Sequence, residues 1–159
     1  MKIIGSLPPG LCGVVLRHDT DAQRLALARR VAGLCRRRGV ALIIAGDSRL
    51  AMRLRVGLHL RGGGAGRPIG WSGGLLSASV HNEAQLKQAK RSGATLIFIS
   101  PVFATASHPG APVLGAAGWR RLARRAGRIK PYALGGMNDK TVRSLGVNCA
   151  GAGAIEAFF

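Results

Sequence analysis

The chain has 159 residues, enough for one domain with a sizeable hydrophobic core, and nearly half are apolar while few are aromatic, which excludes a disordered chain and suits a layered α/β protein. No apolar run approaches the roughly 20 residues that span a bilayer, and the stretch ahead of Pro8 and Pro9 is too short for a secretory signal, so a cytoplasmic protein with no membrane partner is expected. The net charge of +18 raises a nucleic-acid surface as one reading. Aromatic residues are not interleaved among arginines such as Arg36-Arg37-Arg38 and Arg120-Arg121, so stacking platforms for single strands are missing. The expected reading is a solvated, Arg-rich surface that attracts small phosphorylated substrates rather than nucleic acid.

Gly13-Val14-Val15-Leu16 reads as the first buried strand. Asp19, Thr20 and Asp21 offer N-caps for a helix carrying Leu25, Ala28, Val31 and Leu34, which Gly39 closes. Ala41 to Ile44 is the second strand, followed by a short helix from Ser48, and Val56 to Leu60 is the third. After a glycine-rich loop over 62–66, a fourth strand runs from Leu75 to Val80 and a helix starts at Asn82. Thr95 to Ile99 is the fifth strand. A long loop, 100–113, leads to a helix with Trp119, Leu122 and Ala126. Pro131 to Leu134 is the sixth strand, Asn138 caps a helix, and Cys149 to Ala152 is the seventh strand. Repeated βα units with continuous apolar strands indicate one domain over 1–159, built on a parallel sheet, either doubly wound or a TIM barrel. The three cysteines are widely spaced and suit buried thiols in a reducing compartment.

Functional residues of such proteins cluster at the C-terminal ends of the strands. Those positions hold Arg17, Asp47, His59, Ser79, His81, the loop from Ser100 to His108, Gly135-Gly136 and Gly151-Ala152-Gly153. Glycine pairs after the last strands let backbone N–H groups approach a phosphate closely. Each pair is also compatible with an ordinary tight turn. Asp47 either caps the helix at Ser48 or serves as the single carboxylate of a Mg²⁺ site that uses substrate phosphates as further ligands. His59, His81, Arg17 and Ser79 have equally plain readings as polar strand-end groups bonded to backbone or water.

Gly13 to Arg17, Ala45-Gly46-Asp47, Gly57-Leu58-His59-Leu60, Ser79-Val80-His81 with Glu83, Ser100 to Thr105, Leu134-Gly135-Gly136-Met137 and Gly153-Ala154-Ile155 occur in that order. From residue 8 onward the chain resembles the thiamine phosphate synthase family and its close relative, thiazole tautomerase. The resemblance implies a TIM (β/α)8-type barrel, here lacking the first β/α unit. It implies a transferase that joins a pyrimidine methyl diphosphate to a thiazole phosphate and releases pyrophosphate, with Mg²⁺ as cofactor. On this alignment Arg17 and Ser79 fall on diphosphate contacts and Asp47 on a metal ligand. Thr105 and Ser107 fall on the thiazole-phosphate loop, and Gly135, Gly136, Ala152 and Gly153 on the phosphate cradle. His108 stands where the family has a lysine, Gly46 replaces an asparagine, Asp19 displaces an early lysine, and the second metal aspartate is lost in the loop near Gly64. The tautomerase has a histidine where this chain has Ser100, which disfavours that activity. A phosphate-ligand binder without catalysis is the other alternative. Two strand edges, near Gly13 and Cys149, would face the gap left by the missing unit and leave room for a homo-oligomer.

Overall fold

The computed structural model describes residues 2–17, 23–61, 66–105 and 110–154. They fall into two compact units, one made of residues up to Arg61 with Arg67–Leu76, the other chiefly of residues from Ser77 onward.

The first unit contains α1 (Lys2–Ser6), β1 (Gly13–Leu16), α2 (Arg24–Arg38), β2 (Ala41–Ala45), α3 (Ser48–Leu54) and β3 (Gly57–Leu60). The strands pair in parallel and in chain order, with Gly13 opposite Ala41, Leu16 opposite Ile44, and Ala45 opposite His59. Every β3 residue is buried, as is all of β2 after Ala41. That is why these strands read as unbroken apolar runs rather than alternating ones. On α2 the buried residues are Ala28, Val31, Ala32 and Cys35, one stripe at helical spacing, while Arg36, Arg37 and Arg38 are exposed. Gly39 ends the helix in the left-handed region, at φ 62°, its N–H donating to the Arg36 carbonyl at 3.3 Å. The start of α2 differs from expectation. The N-cap position is Gln23, with no side-chain cap bond, and Asp19, Thr20 and Asp21 lie outside the described residues.

The second unit contains β4 (Leu76–Val80), α4 (Glu83–Arg91), β5 (Leu96–Ile99), α5 (Gly115–Arg124), β6 (Lys130–Leu134), α6 (Asp139–Arg143) and β7 (Gly151–Gly153). Its strands also pair in parallel and in chain order: Ser77 lies opposite Leu96, Leu96 opposite Lys130, and Tyr132 opposite Gly151. Ile97, Ile99, Val80, Trp119 and Leu122 are fully buried and form the heart of this unit's core. Asn82 caps α4, its side-chain oxygen accepting from Gln85 N at 3.0 Å. Asn138 and Thr141 make a reciprocal capping box at α6. Several boundaries moved by one or two residues: β4 begins at Leu76 rather than Leu75, β5 at Leu96 rather than Thr95, and β6 at Lys130 rather than Pro131. Ala126 is buried but lies beyond the C-cap of α5, Arg125. The last strand begins at Gly151 rather than Cys149, because Cys149 N is taken by a turn to the Gly146 carbonyl.

The described residues thus hold seven strands of repeated parallel βα units, one fewer than the eight of a TIM barrel. No described helix is long and apolar enough to cross a membrane. The capping box gives a direct test of local stability. Asn138→Ala should cost about 1 kcal/mol and lower the melting temperature by roughly 2–4 °C, whereas Asn138→Ser should recover most of the loss in the same thermal melt.

Candidate functional site

In the second unit the glycine pair after β6 sits against the segment that follows β5. Both glycines have positive φ, 94° for Gly135 and 62° for Gly136. A Cβ on Gly136 would lie 2.5 Å from the Ala104 carbonyl oxygen, and one on Gly135 would lie 3.0 Å from Pro101. The two segments are stitched together by Val102 N donating to the Leu134 carbonyl at 3.0 Å and Phe103 N to that of Gly135 at 3.1 Å. Backbone packing therefore already requires glycine here, and the same lack of side chains leaves a strand-end surface of bare backbone. Gly153 is less constrained: a Cβ there would sit 3.1 Å from Leu134 Cδ1, the end of a flexible side chain, and Ala152 beside it is exposed.

The segment after β5 is also anchored on its other side. His81, which follows β4, places Nδ1 2.5 Å from the Ser100 carbonyl oxygen, and its own backbone N–H donates to Gln85 Oε1 at 2.7 Å. An N–H at Nδ1 fits this contact and leaves Nε2 as an acceptor. Ser79 and Thr105 are half-buried. Ser107 and His108 lie outside the described residues.

In the first unit the strand ends carry cations. Arg17 follows β1 and is exposed. Arg61 follows β3, its guanidinium reaching the Arg17 carbonyl at 3.5 Å. It also lies over Gly46, where a Cβ would come within 3.1 Å of Arg61 Nε. Arg24, from the first turn of α2, donates to the Ala45 carbonyl at 3.0 Å and stands 4.0 Å from Asp47 Oδ2. Arg24 and Arg61 escaped the sequence reading, because neither lies in a motif; only their positions at a helix start and a strand end hinted at a role. His59 is buried beneath this group. Burial first, then the charges of Arg17 and Arg61, push its pKa down to about 4, so at neutral pH it is uncharged and the cations here are guanidiniums.

Asp47 fulfils the capping reading. Its Oδ1 accepts from Leu50 N at 2.9 Å and closes the N-terminus of α3. Oδ2 faces Arg24 beyond hydrogen-bonding distance, and the side chain is 35% exposed, which leaves that oxygen able to take a further cation. Among the described residues no group of three His, Cys, Asp or Glu side chains could hold a metal ion. Among the described residues, Asp47 is a carboxylate that fits a Mg²⁺ ion carried in by a phosphorylated ligand.

Residues 6–158 match the family model described as thiamine monophosphate synthase. The chain belongs to this family. It is 33% identical over 132 residues to the thiamine-phosphate synthase of a Synechococcus species, covering 79% of this chain and 37% of that protein. It is 34% identical over 152 residues to that of Parasynechococcus marenigrum, covering 89% and 42%. The chain thus spans about two fifths of the length of these relatives. Among solved structures, thiamine phosphate pyrophosphorylase from Pyrococcus furiosus superposes with a TM-score of 0.71 at 21% identity, over 90% of this chain and 71% of that one. The corresponding protein from Bacteroides thetaiotaomicron gives 0.59 at 24% identity, over 90% and 68%. These likenesses establish the fold, the α/β TIM-type barrel class with seven of its strands present.

The buried imidazole provides a measurable consequence. The folded pKa of His59, about 4, lies below the unfolded value of 6.5. As pH falls from 6.5 toward 4 the unfolded chain takes up a proton that the folded chain does not, so stability is complete above this window and declines within it, by up to about 1.4 kcal/mol per pH unit. A His59→Gln variant should lose that component of the pH dependence in urea melts, and NMR should show the wild-type ring still neutral at pH 5.5.

Proposed function

We propose that the chain is a thiamine phosphate synthase-like transferase that joins a pyrimidine methyl diphosphate to a thiazole phosphate and releases pyrophosphate. Family membership supports the reading. The observation that carries it furthest lies in the first unit, where Arg24 faces the helix-capping Asp47 and Arg17 and Arg61 stand at the same end of the strands; bare glycine backbone in the second unit supports it separately. In this reading the diphosphate is bound by Arg17, with Arg24 and Arg61 adding positive field, and Ser79 supplies a hydroxyl contact. The thiazole phosphate is bound by the backbone of Gly135, Gly136, Ala152 and Gly153 and by Thr105, with Ser107 and His108 from the adjoining loop. The substrates are small, phosphorylated and those of the cytoplasm.

The reaction breaks the C–O bond between the pyrimidine methylene and the diphosphate, and the electron pair leaves with the diphosphate. The methylene cation is stabilised by the pyrimidine ring and captured by the lone pair of the thiazole nitrogen. The protein's task is to neutralise charge as it builds on the departing oxygen, which fixed cations do without reorganising. Arg17 holds a permanent charge for this purpose. His59 stays neutral and so adds no repulsion among the guanidiniums. Mg²⁺, when bound with the diphosphate, would be held by Asp47 Oδ2 and would supply further positive charge to the leaving group.

Asp47→Asn separates the two duties of that residue. Asparagine keeps the cap on α3, so thermal stability should change little, while the lost charge should lower turnover on the order of 10²–10³. Asp47→Ala should lose both. A pyrophosphate-release assay on the full chain with both substrates provides the readout. Full turnover in Asp47→Asn would remove Asp47 from the site, and thiazole-phosphate binding without turnover in the wild type would reduce the chain to a phosphate-ligand binder.

A further inference from the structure

The face of α5 away from its buried Trp119, Leu122 and Ala123 carries a second concentration of charge. Arg120, Arg121, Arg124 and Arg125 recur at helical spacing with Ala117 and line a shallow concavity of about 460 Å³. The pairs 120/124 and 121/125 place like charges one turn apart, an arrangement that weakens an isolated helix. No acidic residue lies in the first turn of α5. The helix dipole accounts for cations in the last turn, but it does not account for Arg120 or for a concavity floored by a small residue.

Two of the four guanidiniums are held in place. Arg120 Nη1 donates to the Ser144 carbonyl at 2.7 Å, and Arg125 pairs with Glu83 of α4. Arg121 Nε lies 3.8 Å from the same Glu83 carboxylate. Arg124 makes no hydrogen bond or ion pair among the described residues. Four guanidiniums against one carboxylate leave an excess of three positive charges. An arginine has five N–H donors in a planar fork, so even the anchored ones retain donors for a ligand, and their fixed positions lower the ordering cost of binding.

The lining also limits what can bind. It contains no aromatic residue on which a base could stack and no apolar pocket that could seat the anchor side chain of a peptide. From Arg120 to Arg125 the helix advances about 7.5 Å, the reach of two or three linked phosphoryl groups. We propose that this face of α5 is a binding site for a compact oligophosphate, recognised by its charge and its paired oxygens and separate from the strand-end phosphate cradle.

Calorimetric titration of the full chain with sodium tripolyphosphate tests this assignment. Arg121 and Arg125 side chains are 67% and 57% exposed and Arg124 is exposed, so substitutions here should leave the fold intact by circular dichroism. The wild type should bind one tripolyphosphate more per chain than the Arg121→Ser/Arg124→Ser double variant, or bind it at least about tenfold more tightly. A control lacking three charges elsewhere, Arg36→Ser/Arg37→Ser/Arg38→Ser on α2, should bind as the wild type does. Equal binding by the α5 variant would overturn the site. Equal weakening in the α2 control would show attraction by net charge alone. Displacement of the ligand by duplex DNA at lower concentration would reassign the face to nucleic acid.

Discussion

Gly136 approaches the Ala104 carbonyl so closely that no Cβ fits between them, and Gly135 lies tight against Pro101; the second unit's candidate site is organised around that approach. Two backbone hydrogen bonds lock the segments together, and positive φ at both glycines aims the chain into the contact. His81 grips the same segment from the β4 side through the Ser100 carbonyl. A loop that the sequence leaves long and irregular is thereby held, in its described part, on two sides. Glycine at both positions therefore serves packing.

The first unit solves a different problem. Three parallel strands end in polar groups, and burial of His59 would be costly for a charged ring beside guanidiniums. Keeping the imidazole neutral lets Arg61, after β3, reach the Arg17 carbonyl after β1 without a third charge between them. Gly46 is what admits Arg61, because any side chain there would crowd its guanidinium. Asp47 divides its oxygens between a helix cap and the cationic cluster. This division leaves one oxygen of the capping carboxylate facing a guanidinium.

The large positive charge is also unevenly used. On α2 the run of three arginines projects from the last turn, where the helix dipole favours cations and solvent screens them. On α5 the arginines converge on a concavity, where Arg120 is braced by Ser144 and Arg125 by Glu83. Composition cannot separate these cases: on α2 the run makes a long contact, Arg36 Nη1 to the Leu54 carbonyl at 3.5 Å, whereas on α5 Arg120 reaches the Ser144 carbonyl at 2.7 Å and Arg125 pairs with Glu83.

The sequence by itself determined the alternation of strands and helices, because continuous apolar runs and helical stripes follow from burial; of the expected α2 stripe Leu25, Ala28, Val31 and Leu34, Ala28 and Val31 are buried, joined by Ala32 and Cys35. It also determined local caps, at Asn82, Asn138 and Gly39, since these depend on residues within a few positions. Family motifs placed Arg17, Asp47 and the glycine pairs at strand ends. Tertiary structure alone decided what depends on residues far apart in the chain. It brought Arg61 over Gly46 and beside Arg17, set Arg24 against Asp47, and made neutrality the stable state of His59. It showed that Gly136 is required by Ala104, thirty-odd positions away in sequence, and it drew Cys149 out of the last strand through a turn to Gly146. Such effects arise from desolvation, steric exclusion and charge proximity across packed segments, which no local pattern of residues encodes.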